Sequence, residues 1–250
     1  MAVDLQGRAA AITGASSGIG EAVALSLSRA GAAVALAARR EERIAALAGR
    51  IAEEGGRALA LPTDVADEDQ ARAFIAHAYE HLGRLDILVN NAGVMLLGPV
   101  EGADTDHWRR MVDVNVYGLL YCTHAALPVM REQGGGHVVN VSSVAGRHAH
   151  LGSAVYNLTK FGVNGFSEAL RQEALHSNIR VTVIEPGFVD TELAGHNELE
   201  LVRQGVERMR EQIGEVLTAE DIAEAITYAV TRPERVSVNE VLVRPTRQQR

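Results

Sequence analysis

Tyr156 and Lys160 stand four positions apart in the stretch YNLTK. At helical spacing the two side chains leave one face, with β-carbons about 5–6 Å apart. A phenol ordinarily titrates near about 10, too high for acid–base work at neutral pH. A neighbouring ammonium favours phenolate and brings the group toward the range of a useful general acid or base. Such pairs also occur on solvated helices, so the spacing alone leaves open a chemical device or two surface residues. Two further features favour chemistry. VVNVSS ends a strand-like run with Ser142 and Ser143, where a hydroxyl can bond a substrate carbonyl. DVNVYG sets Asn115 in an otherwise apolar helical stretch, and a buried amide needs partners, which suits it to organise backbone or water near the lysine.

A second candidate site is the turn TGASSGIG, residues 13–20, with Gly14, Gly18 and Gly20 between the first strand-like run and the first helical one. Glycines there permit a tight turn and let the helix N-terminus approach a pyrophosphate, whose charge the free N–H groups and helix dipole favour. The spacing is G-x-x-x-G-x-G, not the G-x-G-x-x-G fingerprint. The letters Gly14-Ala15-Ser16-Ser17-Gly18 also fit G-x-S-x-G, the nucleophile elbow of a serine hydrolase with Ser16 as nucleophile. Against that alternative, elbows usually follow several strands, and the last histidine, His196, lies in an insertion. The second strand-like run ends Ala37-Ala38-Arg39-Arg40, with no carboxylate until Glu41. An acid at that place suits the ribose 2′-hydroxyl of NAD, whereas an arginine grips a 2′-phosphate with a fork of donors. The expectation is NADP(H), with Arg39 the main contact and Arg40 the second.

These residues need elements to hold them. Runs rich in Val, Ile, Leu and Ala recur at 9–13, 32–38, 58–62, 86–91, 137–143, 180–186 and 239–245. They are continuous rather than alternating, as expected of strands covered on both faces. Helix-period segments lie between most of them, and Gly31 and Gly83 fall where C-terminal caps belong. This alternation predicts right-handed crossovers and an open, doubly wound parallel α/β sheet of seven strands with helices on both faces. No repeat or Pro-rich linker divides residues 1–250, so one domain is expected. Two segments interrupt the rhythm: the loop SSVAGRHAHLGSAVYN and the insertion at 188–217. Both follow carboxyl ends of strands, where open sheets bind ligands, and both are expected to touch substrate. In the insertion Leu199, Val202, Val206, Met209 and Ile213 form a helical stripe suited to a lid or a subunit contact.

Apolar residues make up 47% and charged residues 22%, a globular composition. The net charge of -8 argues against nucleic-acid binding. No window reaches the roughly 18 apolar residues of a membrane span and no signal-like start is present, so a cytoplasmic protein without membrane contact is expected. The single cysteine, Cys122, lies in the apolar run GLLYCTHAAL and reads as helix packing. No metal site is expected.

The set TGASSGIG, NNAG (90–93), Asn115, Ser143, YNLTK and PGFVDTEL (186–193) strongly resembles the short-chain dehydrogenase/reductase family, in order and over essentially the whole chain. The resemblance implies a Rossmann fold and a hydride-transferring oxidoreductase acting on a small carbonyl or alcohol. It assigns the acid/base role to Tyr156 and the lowering of its pKa, with ribose binding, to Lys160. Orientation of the substrate oxygen falls to Ser143, which lies thirteen before Tyr156 as the pattern has it, and a relay water to Asn115. The cofactor is implied to meet Gly14, Ser16, Ser17, Gly18, Ile19 and Gly20 at the first turn, Asp64 and Val65 near the adenine, and Asn91, Ala92 and Gly93 along its length. Pro186, Gly187 and Thr191 are implied near the nicotinamide, with Tyr156 and Lys160. The middle of the tyrosine motif departs from the family's small residues: Asn157, Leu158 and Thr159 stand there and are expected to reshape the pocket wall.

NNAGVMLLGPVE, IEPGFVDTEL and NEVLVRPT are similar to the branch holding clavulanic acid dehydrogenase and hydroxy-acid dehydrogenases such as serine 3-dehydrogenase. This points to an aldehyde, ketone or β-keto acid. Arg147, His148 and His150 are either contacts for a polar substrate or solvated loop residues. The family also implies a homo-oligomer, tetramer or dimer, built on the helices that carry Asn115 and Tyr156. A non-catalytic NADP-binding redox sensor is the alternative, though such proteins often lack the tyrosine or lysine present here.

Overall fold

The apolar runs form strands at Ala9–Thr13 (β1), Ala33–Ala38 (β2), Ala58–Pro62 (β3), Ile87–Asn90 (β4), Gly136–Val141 (β5), Ile179–Pro186 (β6) and Glu240–Val243 (β7). Between them lie helices Gly18–Arg29 (α1), Glu41–Glu53 (α2), Glu68–Leu82 (α3), Thr105–Val112 (α4), Gly118–Glu132 (α5), Ala154–Ala174 (α6), Glu200–Ile213 (α7) and Ala219–Val230 (α8). This is a computed structural model; it describes residues 4–197 and 199–249. Residues 1–3 and 250, at the ends of the single-domain expectation, and residue 198 of the 188–217 insertion lie outside the described residues.

The strands pair in parallel as one seven-stranded sheet in the order β3-β2-β1-β4-β5-β6-β7. Side chains alternate across it. Ile12, Leu36 and Val89 pack with Val23 and Leu27 of α1, Ile44 of α2 and Ile222 and Ile226 of α8. Ala11, Ala35 and Leu88 turn the other way, against Phe74 of α3, Cys122 and Ala126 of α5 and Leu170 of α6. Both faces being covered explains why the inner runs are continuous rather than alternating, while the edge strands β3 and β7 are partly exposed. The result is a single-domain α/β Rossmann-like fold, doubly wound as expected. Asp67 caps α3 by accepting the Gln70 N–H at 3.0 Å, and Gly83 ends it in the left-handed region at φ 80°.

The strand order reverses between β1 and β4, so a crevice opens beyond their carboxyl ends. Into that edge run the glycine turn after β1, Asn91–Gly93 after β4 and the loop after β5. The insertion after β6 joins them, its base closed by a bridge between Val189 and Leu217. Among the described residues no helix is long and apolar enough to cross a membrane, and no group of side chains could hold a metal ion.

Candidate active site

The glycine turn is held against the β4 exit by side chains, not only by backbone. Thr13 Oγ1 accepts the N–H groups of Asn91 and Ala92, each at 3.0 Å, and Asn91 Nδ2 donates to the Thr13 carbonyl at 3.0 Å. Gly14 sits at φ 67°, and a β-carbon there would meet the Ala92 backbone at 2.8 Å. A β-carbon on Gly20 would strike the Gly14 carbonyl and Asn91 Nδ2. Close approach of turn, helix and strand therefore requires glycine. Ser17 precedes α1 without a side-chain cap, so the first N–H groups of this twelve-residue helix have no such partner. Free amide donors, a helix dipole and a narrow turn fit the pyrophosphate of a dinucleotide. Ile19 is half-buried in this turn, and Asp64 and Val65 follow β3 on the same edge, Val65 packed against Gly118.

Of the two arginines, Arg40 lies across the turn. Its Nε and Nη2 donate to Ser16 Oγ at 3.1 and 2.9 Å, and Nη2 also donates to Ser17 Oγ at 2.7 Å. Its Nη1 donates to Glu192 at 2.6 Å, and Arg43, which sequence reasoning passed over, donates to the other oxygen of Glu192 at 2.7 Å. Arg39, expected as the main contact, has no hydrogen-bond partner among the described residues. Ser16 Oγ accepts from a guanidinium, and no histidine bonds it among the described residues, an arrangement unlike that of a nucleophilic serine.

Beyond β5 the catalytic candidates come together. Ser142 is buried and donates to the Lys160 carbonyl at 3.3 Å, so its hydroxyl is spent on α6. Ser143 accepts the Ala145 N–H at 3.1 Å and stands beside the Tyr156 phenol. Lys160 Nζ lies 5.8 Å from the centre of the Tyr156 ring and donates to the Val141 carbonyl at 2.9 Å. Tyr156 is packed among Val94, Leu96, Met111 and Ala145. That apolar shell decides its acidity. Burial pushes the phenol up to about 12, and only the Ser143 hydroxyl pulls the other way. Burial also pushes the Lys160 ammonium down to about 8. The expected lowering of the phenol by Lys160 is thus reversed here: desolvation disfavours both charges, and the ammonium is bonded to a strand carbonyl rather than to the phenol.

Asn115 occupies a π-helical turn, Asp113–Tyr117, between α4 and α5. Its Oδ1 accepts the Val94 N–H at 2.8 Å, and its Nδ2 donates to the Val94 carbonyl at 2.9 Å and to Thr159 Oγ1 at 3.3 Å. Both amide protons are used, so the side chain ties the β4 exit to α6. Asn157 is buried and bonded to the loop after Ser143. Its Nδ2 donates to the carbonyls of Ala145 at 2.6 Å and His148 at 2.8 Å, while Oδ1 accepts from Ser153 Oγ at 2.5 Å and the His150 N–H at 3.3 Å. Leu158 points outward, 66% exposed, and Thr159 is buried beside Asn115. Asn157 therefore ties down the loop after Ser143.

Arg147 is structural: it pairs with the buried carboxylate of Glu185 and with Glu240, across β6 and β7. His148 and His150 are exposed. Cys122 is buried and its thiol is pushed up to about 12, which leaves it inert. In the insertion only Ile213 of the expected stripe is buried, Leu199 and Met209 being about half exposed. Pro186 ends β6, and Gly187 donates its N–H to the Val243 carbonyl. Thr191 lies against the glycine turn: a β-carbon on Gly18 would sit 3.0 Å from its methyl.

Comparison with known proteins agrees with this fold. The short chain dehydrogenase family model matches residues 8–201. An uncharacterised oxidoreductase of Staphylococcus saprophyticus is 40% identical over 239 residues, 95% of each chain. Among solved structures, the closed form of a serine dehydrogenase complexed with NADP+ is 33% identical with a TM-score of 0.89, covering 97% of this chain and 96% of that one. An alcohol dehydrogenase from Thermococcus sibiricus complexed with 5-hydroxy-NADP is 26% identical with a TM-score of 0.86, covering 97% and 98%. The fold thus has its counterpart among solved structures, and the chain belongs to the short-chain dehydrogenase family.

Proposed function

We propose that the chain is an NADP(H)-dependent oxidoreductase that reduces an aldehyde, ketone or β-keto acid to an alcohol. The observation that carries this reading is the gathering of Ser143, the buried Tyr156 and Lys160, its Nζ 5.8 Å from the Tyr156 ring centre, on the edge where the glycine turn opens; burial pushes the phenol up to about 12. A phenol held neutral is an acid ready to donate, which suits reduction. When bound, the nicotinamide supplies the hydride to the carbonyl carbon. Ser143 holds the carbonyl oxygen, and Tyr156 Oη gives its proton to the alkoxide as negative charge develops there. Lys160 contributes its ammonium field from 5.8 Å to the phenolate left behind. Asn115 positions this group through Val94 and Thr159 rather than touching the reacting atoms.

The 2′-phosphate preference is supported by Arg40 and Arg43 at the glycine turn and by the absence of a carboxylate at the end of β2 among the described residues. The solved relatives carry NADP+ and 5-hydroxy-NADP. Gly14, Ser16, Ser17, Gly18, Ile19, Gly20, Arg39, Arg40, Asp64, Val65, Asn91, Ala92, Gly93, Pro186, Gly187 and Thr191 make up the cofactor crevice in this reading, and residues 188–217 serve as the substrate lid. The enzyme is cytoplasmic and a homo-oligomer, tetramer or dimer. Exposed Tyr117, Leu158 and Phe161 on the faces of the α5 and α6 region support such contacts. The deciding experiment is NADPH oxidation followed at fixed cofactor against a panel of small aldehydes, ketones and β-keto acids. Turnover of at least one class is expected, and stoichiometric NADPH binding without turnover of any would favour a redox sensor instead.

A further inference from the structure

We propose that Glu192 tempers the affinity for phosphate on the adenosine ribose by acting as an internal counter-ion on Arg40 and Arg43, which a 2′-phosphate displaces, releasing the segment that leads into α7. The proposal rests on the NADP(H) reading and adds a residue and a coupling to it.

The guanidinium of Arg40 has five N–H donors. Nε donates to Ser16, Nη2 to Ser16 and Ser17, and Nη1 to Glu192. A single Nη1 donor remains, and a paired grip on a phosphate needs two parallel N–H groups. Phosphate capture therefore requires a present partner to leave. The serines are neutral and belong to the turn itself, so the carboxylate is the partner that like charge drives off. Glu192 is also the sole carboxylate that Arg43 meets among the described residues, at 2.7 Å. Arg40 and Arg43 hold the Glu192 carboxyl down at about 2, with a smaller contribution from Ser17. Burial first, and then the positive charge of Arg110, Arg39 and Arg40, pushes His196, four positions on, below its ordinary value, with Glu192 opposing. A singly charged carboxylate in such surroundings leaves a cationic surplus. A phosphate monoester with about -1.5 to -2 charges and three acceptor oxygens fills it better. The neutral ribose hydroxyl of a non-phosphorylated cofactor cannot displace the carboxylate on this ground.

Glu192 is also tied to the insertion. It follows Thr191, whose methyl packs on Gly18 and whose hydroxyl accepts the Leu193 N–H at 3.4 Å. The single turn Glu192–His196 ends at Asn197, which accepts the Leu97 N–H at 2.7 Å, and α7 begins at Glu200. The Arg40–Glu192–Arg43 bridge is thus the ion-pair anchor between the cofactor turn and the start of the insertion. Its exchange for phosphate converts the identity of the cofactor into freedom of that segment.

The test uses the full chain with 2′,5′-ADP and 5′-AMP as probes, in wild type and Glu192→Gln, by titration calorimetry with amide exchange of peptides from residues 199–213. Wild type is expected to bind 2′,5′-ADP more tightly than 5′-AMP. Glu192→Gln is expected to tighten 2′,5′-ADP by roughly 3- to 10-fold, the scale of one or two exposed ion pairs, with 5′-AMP unchanged. In wild type, 2′,5′-ADP and not 5′-AMP is expected to speed exchange in the peptides; in Glu192→Gln exchange is already fast without a probe. An unchanged or weakened 2′,5′-ADP affinity in Glu192→Gln, or exchange indifferent to the phosphate, overturns the proposal while leaving the NADP(H) reading standing. Equal wild-type affinity for the two probes overturns the NADP(H) reading itself, and this proposal with it.

Discussion

The Lys160 ammonium lies 5.8 Å from the centre of the Tyr156 ring, yet its hydrogen bond goes to the Val141 carbonyl at 2.9 Å. The ammonium is thus anchored to a strand carbonyl, while the phenol stands beside the Ser143 hydroxyl. In the proposed reduction the Lys160 ammonium faces the developing phenolate across the ring rather than through a hydrogen bond. Burial keeps the phenol protonated until the proton is given up.

Tyr156→Phe removes the proton at Oη and little else, because the ring keeps its packing against Val94, Leu96 and Met111. We expect kcat to fall by about 10²–10⁴-fold, the usual weight of a positioned proton donor. NADPH affinity, followed by quenching of the cofactor fluorescence, stays near wild type. Substantial retained turnover would remove Tyr156 from the proton-transfer role.

The pH dependence of reduction is expected to report Lys160 rather than Tyr156. The lysine is pushed down from 10.5 to about 8, so it is charged below that value and neutral above it. Tyr156 keeps its proton up to about 12. As pH rises through about 8 the ammonium field is lost while the acid is still loaded, and kcat/KM for carbonyl reduction falls. Lys160→Met is expected to show low activity with that alkaline limb gone. A wild-type profile flat from neutral pH to about 10 would contradict the assignment.

Arg40→Ala takes away the guanidinium that spans Ser16 and Ser17, whereas Arg39→Ala removes one without a hydrogen-bond partner among the described residues. Charge-assisted contacts of this kind are worth about 1.5–3 kcal/mol, or roughly 10- to 100-fold. We expect KM for NADPH to rise by that factor in Arg40→Ala, with KM for NADH unchanged and Arg39→Ala the milder of the two. A larger loss in Arg39→Ala would restore the order that adjacency to the strand suggests.

That last contrast shows what was legible in the letters. AAAIT reads as a strand because both its faces are covered, and β1 occupies Ala9–Thr13; ALALP forms β3, Ala58–Pro62, at the sheet edge, where it is only partly buried. Tyr156 and Lys160 share a helix as their spacing requires. Which of two neighbouring arginines reaches the glycine turn depends on how the chain enters α2, and Arg40 is the residue at that helix's N-terminal boundary. The π-helical turn around Asn115 has no letter signature, since its wider hydrogen-bond ring is set by packing against Val94 and Thr159. Asn157 was visible as a departure from small residues, but its partners lie up to twelve positions upstream, brought back by the fold of the loop.

Asn157 therefore carries a prediction of its own. All four hydrogen-bonding positions of its amide are used, to Ala145, His148, His150 and Ser153, and the side chain is buried. Asn157→Ala leaves those loop groups unpaired, at about 1–3 kcal/mol for a buried polar group left unsatisfied. We expect a lower thermal midpoint and a higher KM for the carbonyl substrate, with NADPH affinity retained because the glycine turn is untouched. Asn157→Ser, which can restore one or two of the contacts, falls between. Unchanged stability together with an altered substrate profile would instead put Asn157 on the pocket wall.

Acid sensitivity is expected to centre on His137, whose ring is buried in β5. Thr182 Oγ1 donates to the Val238 carbonyl at 2.6 Å, so at its 2.7 Å contact with His137 Nε2 it accepts. The histidine is accordingly the Nε2–H tautomer, and Nδ1 is buried without a partner. Protonation would place a cation there, opposed first by burial and then by the nearby Arg180 guanidinium, and the ring is pushed down to about 3. The unfolded chain takes up that proton near about 6.5, the folded chain only near about 3, so between those values the unfolded state binds more protons. This contribution to stability is constant above about 6.5 and is lost progressively as pH falls toward 3, at up to about 1.4 kcal/mol per pH unit. His137→Gln keeps an N–H for Thr182 and does not titrate. Urea unfolding midpoints of wild type are expected to drop between pH 7.5 and 4.5 by more than those of the variant. Equal drops in the two proteins would move the acid-sensitive group elsewhere in the fold.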